Sequence, residues 1–400
     1  MSQAFSAAEI EAFRQQTEGT QHVVHLNNAG AALPPDRVRD RVLKYLREEA
    51  LYGAYELSAR HAPDLQQTYQ HTARFLNAER EEIALVENAT IAWNLAFSSL
   101  PLQKGDVVLT TKTEYGSNFI NYLKAKEEKG IEIELIPTDA EGSVDLAALE
   151  AQLRPAVRLL AITHIPTNSG LVQPAEAIGD IAERHGLWYL LDSCQSIGQL
   201  PMDVKKLKCS ILTATGRKYL RGPRGTGFLY VQKKRLDQLS PPYLDQHSAN
   251  WLDTDAYEIH PGAQRFENWE SNKALRLGLS ESIAYAMEVG MDRSWQRIQL
   301  LAQYTRTQLA EVPGIQVLDL GKQKCGIVSF RYQDHDPVRV QQYLLERGIN
   351  TSVSDRPFTL IDMDQRGMRS VNRASVHYYN TEAEIDRLAE ALTGLRKERS

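Results

Sequence analysis

The sequence predicts an α/β fold in which a mostly parallel sheet lies between helices in a large domain, followed by a smaller α+β domain. Three observations carry this. Short β-branched runs alternate with amphipathic helical patterns through the middle third of the chain. Near residue 269 that alternation gives way to a long helical region and then to a second set of strands. With 42% hydrophobic and 24% charged positions in 400 residues, the chain has the material for a large core and an interdomain crevice. The expected division is 21–264 for the large domain and 1–20 with 265–400 for the small one.

In chain order, a first helix is expected to start near Pro35, in DRVRDRVLKYLREEA. Strands are expected at 107–110, 131–136, 159–163, 188–191, 211–214 and 227–231, each a short run rich in Val, Ile and Leu. Between them, 144–153 and 175–185 carry apolar residues at helical spacing. The second has Pro174 at its start and Gly186 just past its end, the favoured asymmetry of helix boundaries. Strands at 315–318 and 326–331 and a closing helix from Thr381 complete the second domain. In such a sheet, ligand sites collect beyond the carboxyl ends of the strands.

Composition narrows the function classes. With 46 Lys and Arg against 51 Asp and Glu the net charge is −5, which excludes the concentrated basic surplus that phosphate backbones require, so no nucleic-acid partner is expected. No apolar run approaches the roughly 20 residues of a membrane span. The polar opening 1–16 lacks the pattern of a signal peptide, so a cytoplasmic protein without a membrane partner is expected. Cys194, Cys209 and Cys325 are odd in number and scattered, which excludes a disulfide framework and a CxxC-type metal site; no metal is expected.

The most informative stretches are Leu190-Leu191-Asp192-Ser193-Cys194-Gln195 and Thr215-Gly216-Arg217-Lys218-Tyr219-Leu220-Arg221-Gly222-Pro223. An acid at the end of one buried strand and a lysine just after another stand beside the same crevice. Spacing alone leaves open a structural ion pair. The glycine-rich 222–227 lacks GxGxxG spacing and precedes a strand, so it is not a dinucleotide fingerprint.

Taken together, these segments resemble the class V aminotransferase family of pyridoxal-phosphate enzymes, and the likeness runs from Leu26-Asn27-Asn28-Ala29-Gly30 to Asn372-Arg373-Ala374-Ser375-Val376-His377-Tyr378-Tyr379-Asn380-Thr381. The resemblance implies the pyridoxal-phosphate-dependent transferase fold with a mostly parallel seven-stranded sheet, a homodimer, and an amino acid as substrate. It implies that Lys218 binds the cofactor aldehyde, that Asp192 pairs with the pyridine nitrogen and keeps the ring an electron sink, and that Gln195 bonds the ring's phenolic oxygen. Thr113-Glu114-Tyr115-Gly116-Ser117-Asn118 resembles a Glu-His-His-Ser-Asn segment, which makes Tyr115 the stacking and catalytic ring in place of a histidine. Asn88-Ala89-Thr90 resembles the family's Gly-Thr-Thr turn, so Ala89, Thr90, Thr215 and Arg217 are implied at the phosphate. Asn168 is implied near the ring oxygen and substrate, with Thr167 the alternative, while His164 reads as structural. Arg373 matches the arginine that clamps the substrate carboxylate, and Asn28 is assigned to the substrate as well.

Two departures refine the expectation. Desulfurases of this family carry a nucleophilic cysteine on a loop before the substrate arginine, and NTSVSDRPFTLIDMDQRGMRSVN at 350–372 holds none. Where desulfurases place a phosphate-binding Thr, this chain has Glu270, expected to face Arg217 or the substrate amine. The likeness is then closest to the family's hercynylcysteine sulfoxide lyase and cystine C-S lyase members. It implies β-elimination on a cysteine-derived amino acid or its S-oxide, giving pyruvate and ammonia. The alternatives are an aminotransferase or epimerase of the same family, and a cofactor-binding regulator without turnover. Residues 355–365 and the neighbourhood of Trp251 are expected to shape the side-chain pocket.

Overall fold

The computed structural model describes residues 4–397. Its central sheet has seven strands in the spatial order Ile83–Val86, Gly227–Val231, Ile211–Thr215, Trp188–Asp192, Val157–Thr163, Val107–Thr110, Glu132–Leu135. Five neighbouring strands, from Ile211–Thr215 to Glu132–Leu135, run parallel, and Gly227–Val231 is antiparallel to both of its neighbours. Successive residues face opposite sides, so Leu191 packs with Leu160, Ile178 and Ile283 while Leu190 packs with Trp93, Phe97 and Leu229. Burial on both faces explains why these strands read as continuous apolar runs.

Ala89–Ser99 is buried on most of its surface and so carries no stripe, whereas Ala62–Leu76 buries one face at helical spacing, Thr68, Tyr69, Thr72, Ala73 and Leu76, part of it threonine. Lys273–Val289 packs against Asp36–Tyr52 and Ala62–Leu76, and Met291–Glu311 runs on from it. A second, antiparallel sheet has the order Ile315–Val317, Ile327–Tyr332, Ser370–Ser375, Ser352–Asp355, with a core of Leu301, Phe330, Val340 and Leu388. Val24–His25 pairs with Ile349–Asn350 and joins the amino-terminal segment to this half. The hairpin Ala249–Asp253 with Ala256–Ile259, which holds Trp251, projects with its side chains exposed.

Two local devices fix the turn that carries Lys218. Gly198 has φ +82°, and a Cβ there would lie 2.4 Å from the Tyr219 carbonyl carbon and the Leu220 amide nitrogen, so only glycine lets the loop after Asp192 rest on the backbone after Lys218. Arg221, at φ +62°, donates its amide to the Lys218 carbonyl at 2.8 Å. Its fully buried guanidinium bonds the Leu33 carbonyl at 2.9 Å and the Tyr378 and Thr17 hydroxyls at 2.6 Å, and lies over the Tyr379 ring. No carboxylate pairs with it among the described residues; the aromatic rings and oxygens replace that partner.

Candidate active site

A cavity of about 490 Å³ opens at the carboxyl ends of the parallel strands, beside the first turn of Ala89–Ser99. Asp192, Gln195, Lys218, Arg217, Tyr115, Ala89 and Thr90 all line it, so seven of the eleven residues selected in sequence meet at one place. Cys194, Thr163 and Thr167 share the wall.

Asp192 ends its strand with both oxygens held: Oδ1 accepts from the Cys194 amide at 2.9 Å and Oδ2 from Asn118 Nδ2 at 2.9 Å. Lys218 follows Ile211–Thr215, and its ammonium makes no hydrogen bond among the described residues. Burial lowers its pKa from that of an ordinary lysine. Tyr115 precedes Gly116–Lys129 and lies parallel to Phe358, with ring centroids 6.3 Å apart. Gln195 donates to the Ala29 carbonyl at 3.0 Å and leaves Oε1 buried without a donor.

At the helix end, the Asn88 side chain accepts from the Ile91 amide at 3.0 Å, leaving the earlier amides to face the cavity. Arg217 donates to Thr215 Oγ1 at 3.1 Å and has no acidic partner among the described residues. Thr215 thus stands one layer behind the wall, supporting Arg217. Arg373 is buried: its Nε donates to Ser352 Oγ at 3.0 Å, and Nη1 to the Thr167 carbonyl at 2.7 Å and hydroxyl at 2.6 Å. Its remaining terminal nitrogen has no acceptor among the described residues, and burial pushes its pKa down to about 10.

Four expectations change. Thr167, not Asn168, is on the cavity wall: in the turn at 167–168 the Asn168 amide nitrogen is drawn to Asp362 at 3.1 Å, away from the cavity. Asn28 is fully buried and spends its amide on the Ser375 carbonyl at 2.7 Å and on Asn380, while Tyr379 donates to its carbonyl oxygen, so it ties the amino-terminal segment to the second sheet and leaves no group for a substrate. Glu270 lies in a neighbouring cleft with His247, Trp269 and Lys273, not against Arg217. Trp251 likewise stands away from the cavity. His164 is buried and neutral, its pKa pushed down to about 4 by burial.

Sequence reasoning passed over Glu114, Asn118 and Thr163, which bind one another and Asp192 beneath the cavity. The signal was present in the Glu114 to Asn118 spacing of four, which puts two polar side chains on one face at a helix start.

The atoms left without partners test the fit of a cofactor. A lysine amine without a hydrogen bond, an acid at a strand end, a flat ring, and a helix start with an unpaired arginine surround one cavity; this set matches an aldehyde, a ring nitrogen, a π face and a phosphate. Such a fold and site define a pyridoxal-phosphate enzyme of fold type I. The family model for class-V aminotransferases matches residues 24–388, and the chain belongs to that family. A probable cysteine desulfurase of Methanothermobacter thermautotrophicus is 30% identical over 375 residues, covering 92% of this chain and 94% of that one. The apo structure of a cysteine desulfurase from Thermococcus onnurineus NA1 superposes with a TM-score of 0.91 at 26% identity over 100% of both chains. The fold is shared by C-DES with glycine covalently linked to its PLP cofactor, at a TM-score of 0.86 and 23% identity, covering 95% of this chain and 98% of that one. Pyridoxal phosphate is the cofactor of this enzyme.

Proposed function

We propose that the chain is a C–S lyase that eliminates the β-sulfur group of a cysteine-derived amino acid or its S-oxide, releasing pyruvate and ammonia. The observation that carries the reading is the absence of a reactive thiol at the site. The segment facing Tyr115 is built from Arg356–Thr359 and Leu360–Gln365, sets Phe358 parallel to Tyr115 and holds no cysteine. Cys194 is the one cysteine on the cavity wall, and burial, followed by the charge of Asp192, raises its pKa and keeps it a thiol. Support also comes from the fold shared with C-DES, itself a cystine C-S lyase in complex with cysteine persulfide.

In this reading Arg373 takes the substrate carboxylate on its open nitrogen, and Thr167 and Ser352 hold the guanidinium in place. Bound pyridoxal phosphate supplies the aldehyde that captures the substrate amine and the ring that withdraws electrons from its α-carbon. Lys218, whose pKa burial lowers, removes the α-proton and returns a proton to the departing sulfur. Asp192 would face the ring nitrogen, and Tyr115 would cover the ring face. Arg217, with Thr215 behind it, and the Ala89 and Thr90 end of the helix hold the phosphate. The C–S bond breaks, the sulfur leaves as a thiol or, from an S-oxide, a sulfenic acid, and water replaces nitrogen to give pyruvate and ammonium.

The large and small domains fall at 21–264 and at 1–20 with 265–400 in this reading, and the protein is a cytoplasmic homodimer. Exposed Tyr55 and Trp269 around the cleft of Glu270, next to the cavity, support the dimer. The test is incubation with cystine or S-substituted cysteines, following pyruvate without added keto acid. Pyruvate in step with released thiol is expected. Pyruvate only with a keto acid would make it an aminotransferase, and alanine with a persulfide on Cys194 would make it a desulfurase.

A further inference from the structure

Beneath the cavity one buried carboxylate ties together the carboxyl ends of three adjacent strands. Glu114 follows Val107–Thr110 by four residues and is 3% exposed. Its Oε2 accepts from Thr110 Oγ1 at 3.0 Å and from the Thr163 amide at 3.2 Å. Its Oε1 accepts from the Tyr115 amide at 2.9 Å, from Asn118 Nδ2 at 2.8 Å and from the Thr163 hydroxyl. Asn118 gives its other amide hydrogen to Asp192 Oδ2 at 2.9 Å, so one nitrogen bridges two carboxylates. Thr163 and Asp192 are direct neighbours in the parallel register, which brings the three strand ends into line.

Five donors converge on Glu114, and two of them are backbone amides that cannot turn into acceptors. A carboxylate satisfies all five, whereas a protonated carboxyl would set its own O–H against one of them. The titratable groups facing it are Asp192 from Trp188–Asp192 and Tyr122 from Gly116–Lys129, and no basic side chain pairs with it among the described residues. Burial, and then the charge of Asp192, pushes its pKa up to about 7 against the pull of the Thr163 and Asn118 hydrogen bonds. An ionised acid this deep, with no cation of its own, has a positive partner to gain when a protonated ring occupies the cavity above Asp192.

We propose that Glu114 is a positioning residue for the cofactor. Through Asn118 it holds Asp192 toward the ring nitrogen, and through the Tyr115 amide it holds the stacking ring, so that one buried charge governs the basicity of the bound ring. The inference rests on the cofactor and on Asp192 and Tyr115 as its contacts; it does not depend on which bond of the substrate is broken.

The experiment is a pH titration of the visible absorption of the purified holoprotein, without substrate, for wild type, Glu114→Gln and Asn118→Ala, alongside the dissociation constant of pyridoxal phosphate for each. Both substitutions are expected to move the midpoint to lower pH by about half a unit or more, roughly a threefold loss of proton affinity. A purely structural role would change melting and leave the midpoint in place. A wild-type midpoint in either variant overturns the proposal; should Glu114→Gln not fold, Asn118→Ala decides alone. Lyase failure appears only in the pyruvate assay, so the two readings fail separately.

Discussion

At the floor of the cavity the oxygens of Glu114 and Asp192 already have donors within the protein, whereas on its wall Lys218 Nζ, Gln195 Oε1 and one terminal nitrogen of Arg373 have none among the described residues. The floor is buried, and so is Gln195 Oε1 on the wall, where leaving a polar group unpaired costs about 1–3 kcal/mol; Lys218 is half-buried at the cavity mouth. The floor avoids that cost by internal bonding and is rigid before any ligand arrives. The wall retains it, which a fold tolerates where a ligand recovers the energy on binding. Unpaired atoms therefore mark places for cofactor and substrate atoms; among the paired groups Asp192 lines the cavity as well, facing the ring nitrogen in the proposed reading, and Glu114 lies behind it.

Substitutions on the wall are the direct way to break this contrast. Lys218→Ala has the largest expected effect: it removes the group that carries the proton and attaches the cofactor, and turnover should fall by at least about 10³-fold. Because the amine bonds nothing in the protein, stability should change by less than about 0.5 kcal/mol, read as an unshifted denaturant midpoint. If the variant instead unfolds readily, Lys218 belongs with the floor and the contrast is wrong.

Arg373→Lys comes next. The lysine keeps a positive charge but loses the planar fork, so it cannot bond Ser352, Thr167 and a substrate carboxylate together. A loss of about 10- to 100-fold in kcat/KM is expected, mostly as a higher KM, with cofactor affinity unchanged. An equal loss in cofactor affinity would place Arg373 at the phosphate instead of the substrate.

The contrast also explains what was legible in the sequence. Strand ends carry the wall, and an acid or lysine placed at or after a run such as Trp188–Asp192 or Ile211–Thr215 stands out against apolar neighbours, so Asp192 and Lys218 could be read directly as neighbours of one crevice, while their roles and those of Gln195, Thr215 and Arg217 came through family likeness. Arg373 and Tyr115 were legible through family likeness, because nothing in their spacing distinguishes them. The floor was hidden: Glu114 and Asn118 look like any polar helix start until the register of three strands brings Thr110, Thr163 and Asp192 around them. Asn28 and Asn168 misled for the reverse reason. Both sit in family-like segments, but long-range partners, Ser375 and Asp362, turn their amides away from the cavity.

Glu270 gives the smallest expected effect and tests where the site ends. It is exposed, its carboxylate accepts only from the Ser271 amide at 3.2 Å, and it lies in the cleft of His247 and Trp269 beside the cavity. Glu270→Gln keeps the shape and removes one charge from a region where water screens it, so stability should shift by less than about 0.5 kcal/mol. In an isolated subunit kcat/KM should then stay within about twofold of wild type, since a surface charge at that distance is worth only a few tenths of a kcal/mol. In a homodimer that covered the same cleft Glu270 would lose water, which would make its charge count. A measured change well above twofold, present only at protein concentrations where the dimer forms, would move Glu270 from the rim into the site and show that the wall is completed by the second subunit.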